Sequence, residues 1–183
     1  MIGKVIVQGP GIQGTISDYN YTDMRDVLVD SLCAIAVFLM SCRGYDRTDE
    51  ITGDLAGVFA VGAAFFPITS DSLPTDREEL AGALQVLFAG SHFLTLAFFS
   101  LVLFRKTDQP KPTRKKLQRN IVYTLCGYSI LGCIVLIGVV FLISSTSPIR
   151  SFDHVFWLES IAVVSFGISW LTKGEAILKD NEA

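Results

Sequence analysis

The sequence predicts an all-α protein, a polytopic transmembrane bundle of about five helices, on three observations. Half of its 183 residues are apolar and only 18% are charged, with a mean hydropathy of +0.47. The apolar residues run in long blocks instead of the short periodic patches of a globular core. The lysines and arginines collect in intervals that would lie on one side of a membrane. A soluble domain of this size would be hard to keep in solution with that balance. A net charge of −3 and a pI near 5.3 argue against nucleic acid as a partner, because neutralising phosphates needs a surplus of cations on one face.

Residues 1–26 read as an extracytoplasmic leader. Its first stretch, MIGKVIVQGPGIQG, has neither the apolar core nor the small-residue cleavage site of a signal peptide. Tyr19, Asn20, Tyr21 and Thr22 suit an interfacial aromatic belt ahead of the first helix. The first apolar block, 27–42, is short for a span unless the preceding Met-Arg-Asp turn joins it. The run RGYDRTDEITGD mixes signs and reads as a solvated turn in which Asp49 or Thr52 caps the next helix. The second block, 54–70, is rich in Ala, Gly and Phe, with Pro67 near its end. Gly53 and Gly57 before and within it form a G-x-x-x-G pattern suited to close helix packing.

The third block, 80–104, is the longest, and at about 1.5 Å per residue it crosses a 30 Å core with tilt or overhang. Residues 105–120 (RKTDQPKPTRKKLQRN) carry prolines and charges and read as a basic loop. The fourth block is 121–144 and the fifth 155–172, with Phe156 and Trp157 as a further belt. Residues 173–183 form a tail. Cys33, Cys42, Cys126 and Cys133 lie in or at the ends of apolar blocks without a C-x-x-C pair, and are expected to be small packing residues.

The distribution of positive charge sets the orientation. With the Arg43/Arg47 loop, the basic loop and the tail in the cytoplasm, eleven of the 15 lysines and arginines are inside, and only Lys4, Arg25, Arg77 and Arg150 are outside. The expectation is therefore N-out, C-in. The basic loop acts first as a topology determinant, and the same charges suit contact with anionic headgroups. An N-out start without a signal would be eased by one more helix in front.

The polar residues at membrane depth are the candidates for function, since insertion scales put the cost of an ionisable group at the bilayer centre at about 2.5–3.5 kcal/mol. His92 sits near the centre of the third block. Glu159 lies about one turn into the fifth and Asp30 about one turn into the first. His154 is at the outer mouth of the fifth, and Asp18 belongs to the leader. These five residues are the expected ligand-binding set, gathered in the outer half around one solvated cavity. On the plainer reading, Asp30 and Glu159 are hydrated or paired with Arg25, and His92 is a neutral interhelical hydrogen-bond donor. Zinc accepts nitrogen and oxygen ligands of this mixture, but two histidines on separate helices without an H-x-x-x-H pair make no recognisable motif. No metal and no cofactor is expected. A proton relay through Asp30, His92 and Glu159 would suit a carrier, although no inverted repeat accompanies it.

The ISD of Ile16, Ser17 and Asp18, the intramembrane His92, and His154 followed by the aromatic-flanked Glu159 resemble a family of six-helix membrane proteins. That family includes the damage-regulated autophagy modulators and the GPI-lipid-remodelling proteins. The segments SDYNYTDMRDVLVDSLCAIAVFLMSCRGYDR and FWLESIAVVSFGISWLTKG look closer still to a group of uncharacterised bacterial inner-membrane proteins. The resemblance extends from about Gly14 to Gly174. It implies a helical bundle in a bacterial inner or plasma membrane, with Asp18, His92 and Glu159 as matching positions and lipids as partners. The family's first helix, ahead of the ISD loop, has no counterpart in this sequence. Three functions follow as expectations: a lipid-interacting or lipid-sensing bundle, a membrane-embedded lipid-modifying hydrolase with His92 as general base or metal ligand and Glu159 as acid or ligand, or a proton-coupled carrier. A homo-oligomer or another helix-packing partner is compatible with each.

Overall fold

The structure, a computed structural model, describes residues 14–42, 44, 46–66, 75–107, 113–144 and 153–178. The first half of the leader, the end of the second block after Phe66, the middle of the basic loop and the end of the tail lie outside these. Among the described residues all regular structure is helical. A 3-10 turn, Ser17–Tyr21, precedes five α-helices: α1 Arg25–Ser41, α2 Arg47–Phe65, α3 Asp76–Phe98, α4 Arg114–Ser144 and α5 Asp153–Lys173. Each packs chiefly on its neighbours in sequence, so the chain runs up and down as an antiparallel bundle. Three helical segments are long and apolar enough to cross a membrane: Asp76–Leu103, Arg114–Ile143 and His154–Lys173. Large apolar side chains such as Val37, Leu125, Val135 and Leu142 face outward on the bundle, the surface expected against hydrocarbon.

Two boundaries differ from the expectation, for physical reasons. Helix α2 starts at Arg47, seven residues before Asp54, because Asp46 caps it by accepting the amides of Thr48 and Asp49 at 2.9 and 3.1 Å. The capping residue is thus neither Asp49 nor Thr52, which lie inside the helix. Helix α4 starts at Arg114, so the second part of the basic segment is helical. Its buried stripe continues backwards from Ile130, Cys126 and Tyr123 through Arg119 and Lys116. The Lys116 ammonium donates to the carbonyls of Phe104 and Lys106, both at 2.9 Å, and so caps the end of the preceding helix.

That end is a π-turn, Phe99–Leu103, closed by a bond from the Phe104 amide to the Phe99 carbonyl at 2.9 Å. In a regular α-helix two residues five apart point about 140° away from each other. The wider turn lets both phenylalanines face inward, and their rings lie 5.8 Å apart among Tyr123, Phe166 and Trp170.

At the same end Lys106 clamps α3 to α2, binding Asp46 at 2.9 Å and the buried Asp49 at 2.6 Å. Hydrogen bonding to Lys106 holds the Asp46 carboxyl below the ordinary aspartate range. Hydrogen bonding to Asp49, then to Asp46, raises the Lys106 ammonium. Arg119 bonds Glu175 at 2.8 Å and ties the end of α5 to α4.

Close backbone approach explains the glycine pair of α2. A Cβ on Gly53 would stand 2.8 Å from the Leu39 carbonyl oxygen of α1, and one on Gly57 would stand 3.0 Å from that of Ala36. On the α4–α5 seam Ser165 donates to Ser129 at 3.2 Å, and the small residues Ala162 and Ser169 are buried on the same face of α5. The cysteines are free thiols, Cys126 and Cys133 being buried packing residues as expected and Cys33 and Cys42 half-buried.

Gly53→Ala is expected to destabilise the detergent-solubilised protein by about 1–3 kcal/mol, because a backbone carbonyl has to move. Gly132→Ala, where a Cβ meets nothing within 4 Å, stays within about 0.5 kcal/mol; thermal or denaturant unfolding measures both. The Lys106 clamp has a defined pH window. Asp46 has a lowered pKa, so its contribution is complete above the ordinary aspartate value of about 3.9 and is lost as pH falls through the folded value. Lys106 has a raised pKa, so its contribution persists above the ordinary lysine value of about 10.4 until the folded value is passed. A melting midpoint followed from pH 6 to pH 3 should fall, and Lys106→Gln should lower the pH 6 midpoint and flatten that fall.

Candidate functional site

The site forms where the segment before α1 folds over one end of the bundle. Thr15 and Asp18 brace each other: the Thr15 amide donates to the Asp18 carboxylate at 2.9 Å, and the Asp18 amide donates to the Thr15 hydroxyl at 3.0 Å. This reciprocal pair fixes the 3-10 turn as a small cap. Three bonds fasten the cap to the bundle. The Glu159 carboxylate of α5 accepts the Ile16 amide through Oε2 at 2.6 Å, and the Phe156 amide donates to the Gly14 carbonyl at 2.8 Å. From α3, Gln85 Nε2 donates to the Ser17 hydroxyl. The Tyr19 ring is buried beneath the cap against Phe156, centroids 6.2 Å apart. Of the expected belt residues, then, Tyr19, Asn20 and Phe156 are packed inside and Trp157 faces outward, because the cap supplies protein where the sequence suggested headgroups.

Below the cap lies a cavity of about 380 Å³ between α1, α3 and α5. Its polar groups are Ser17, Gln85 and Glu159 at the capped end and His92 further down; the rest of its wall is apolar, including Leu32, Phe38, Val163 and Trp170. The cavity exists because α1 and α5, first and last in the bundle, barely touch, meeting through the Phe38 and Trp170 rings at 5.0 Å. His92 follows Gln85 by seven residues, which keeps both on one face of α3 and sets His92 about 10 Å deeper.

His92 Nδ1 lies 3.0 Å from the Ala56 carbonyl of α2. A carbonyl only accepts, so Nδ1 carries the hydrogen and the neutral ring keeps Nε2 as an acceptor. This is the interhelical donor role expected on the plainer reading. The same bond fixes the ring at the cavity wall.

The five expected residues therefore separate. Glu159 and His92 line one cavity, and Asp18 braces the cap that covers its end. Asp30 is exposed on α1 and His154 is exposed at the start of α5, and neither lines the cavity. Among the described residues no ion pair joins Asp30 to Arg25. Nor do three His, Cys, Asp or Glu side chains gather there as a metal ion would need. Sequence reasoning missed Gln85, Ser17 as a hydrogen-bonding residue, and the bracing role of Thr15. For Gln85 a signal was present, an uncharged polar residue one heptad before His92 inside an apolar block.

No family model, curated protein or solved structure matches this chain. The arrangement itself is what bears on function: a covered, largely apolar cavity with its hydrogen-bonding groups concentrated at one end.

If the Glu159 carboxylate is the tether, Glu159→Ala frees the cap. The bond is worth about 1 kcal/mol at the least, so hydrogen exchange at Ile16 and Ser17 should quicken about fivefold or more while exchange along α4 stays unchanged. Unaltered exchange at Ile16 would show that other contacts hold the cap.

Proposed function

We propose that this protein is a lipid-binding membrane bundle, of the lipid-interacting or lipid-sensing kind, that takes an amphiphile into the cavity between α1, α3 and α5. The observation that carries the reading is the polarity of that cavity, with Ser17, Gln85 and Glu159 at the capped end and apolar side chains along its length. A hydrocarbon chain suits the wall, and a headgroup bearing N–H or O–H donors suits the Glu159 carboxylate. Among the described residues no lysine or arginine lines the cavity, so a bare phosphate would find no counter-charge among them.

The reading includes five crossing helices, N-out and C-in, in a bacterial inner or plasma membrane. Helix α1 is about 25 Å long, slightly less than a hydrocarbon core. Helix α2 carries Asp49, Glu50 and Asp54 in its first turns. Both nevertheless lie antiparallel in the packed series that leads to α3, which supports their sharing the same slab. Lys106, Lys116, Arg119 and Lys173 belong to the end of the bundle opposite the cap, in keeping with a cytoplasmic face. The resemblance to the bacterial inner-membrane group, and more distantly to lipid-handling proteins, points the same way.

Native mass spectrometry of the purified protein beside Glu159→Ala and His92→Ala tests the reading. The wild type should retain a lipid with a donor-bearing headgroup, and Glu159→Ala should lose it by about fivefold or more, one hydrogen bond's worth. The same unselective lipids on all three proteins would overturn it. Release of free fatty acid from an added lipid, abolished in His92→Ala, would move the reading to the hydrolase, with Nε2 as the base.

A further inference from the structure

The polar end of the capped cavity is also the wall of another. On the far side of α3 a cavity of about 200 Å³ lies between α3, α4 and α5, lined by apolar groups including Val86, Ile134, Phe141 and Val155. Ser17, Gln85, Ala89, Phe93 and Glu159 line both cavities, so the hydrogen-bonding groups form a partition with an apolar space on either side. The second space is open at two glycines on its wall: a Cβ on Gly90 or on Gly138 would meet nothing within 4 Å.

The two spaces differ in length. The first follows α5 from Glu159 to Leu171, about 18 Å, and the second follows α4 from Ile134 to Phe141, about 10 Å. A ligand with one chain would fill one space and leave the other without a hydrocarbon partner on the same headgroup site. Among the described residues neither space has a lysine or arginine on its wall, while the partition offers the Glu159 carboxylate and the Gln85 amide. The geometry points to a two-chain lipid with an amine- or hydroxyl-bearing headgroup, straddling the Ser17–Gln85–Glu159 partition with one chain in each cavity. This inference rests on the lipid-binding reading above and adds to it the number of chains and where each goes.

The test titrates the full-length protein in detergent with two-chain dioleoylglycerol, whose headgroup is a free hydroxyl, and with its one-chain lyso form, monooleoylglycerol, read by native mass spectrometry. Wild type should hold the two-chain form about tenfold tighter. Gly138→Phe and Gly90→Leu, which fill the second cavity, should cut two-chain binding about tenfold and leave the lyso form unchanged, and that retained binding also certifies the fold of each variant. Gly132→Phe, a substitution at an exposed position elsewhere on α4, should alter neither. Equal affinity of the two forms for wild type would overturn the inference while leaving a one-chain lipid site standing. So would two-chain binding that survives both cavity-filling substitutions. Failure of wild type to bind either form would overturn the lipid-binding reading, and the inference with it.

Discussion

The bond from the Ile16 amide to the Glu159 carboxylate, 2.6 Å long, is the interaction on which the capped half of this molecule depends. It joins the segment before α1 to the last helix. A carboxyl group two turns into an apolar helix needs a hydrogen-bond donor, and a backbone amide leaving the solvent needs an acceptor. Each meets the other's requirement, and the cap that results covers the gap between α1 and α5. Without the cap, the space beneath it would be a cleft open at its end; with it, the space is a cavity whose polar groups are concentrated beneath a lid of protein.

The opposite end of the bundle is built on the same rule with the charges reversed. Lys116 satisfies carbonyls left free where the helix ends, Lys106 binds Asp46 and Asp49, and Arg119 binds Glu175. These contacts hold α2, α3, α4 and the end of α5 together where backbone groups emerge from the helices. The cations whose distribution suggested an orientation are therefore partly structural, and the proposed topological role is compatible with this because both put them at one end. Between the ends, the packing relies on glycine and serine seams and on the aromatic cluster around Phe104. The large apolar side chains are left to face outward, as hydrocarbon allows.

The helical architecture was legible because hydropathy is a property of contiguous residues: all five apolar blocks correspond to helices, with boundaries displaced mainly where polar caps extended them. Helix α2 grew backwards because Asp46 caps it, and α4 because Lys116 and Arg119 continue its buried stripe at helical spacing. That second signal was present in the sequence, but a run of basic residues reads as solvated unless its register with Tyr123 and Cys126 is followed. His92 and Glu159 were legible as unusual placements, and His92 as an interhelical donor. Their partners were not, since Ile16 lies 143 residues from Glu159 and Ser17 lies 68 from Gln85. Asp30, about one turn into its block, and His154, at the mouth of its block, were grouped with them in the expected outer half, yet both are exposed and neither lines the cavity.

The central claim is that lipid enters the capped cavity as well as coating the outside of the bundle. The most direct measurement is photo-crosslinking in membranes with a lipid that carries a diazirine on its acyl chain, followed by peptide mapping of the adducts. The account predicts adducts concentrated on the cavity wall, at positions such as Leu32, Leu39, Val163 and Phe166, in excess of those on the outward face of α4 at Leu125, Val135 and Leu142. Labelling confined to that outward face, with the cavity wall unmodified, would contradict it.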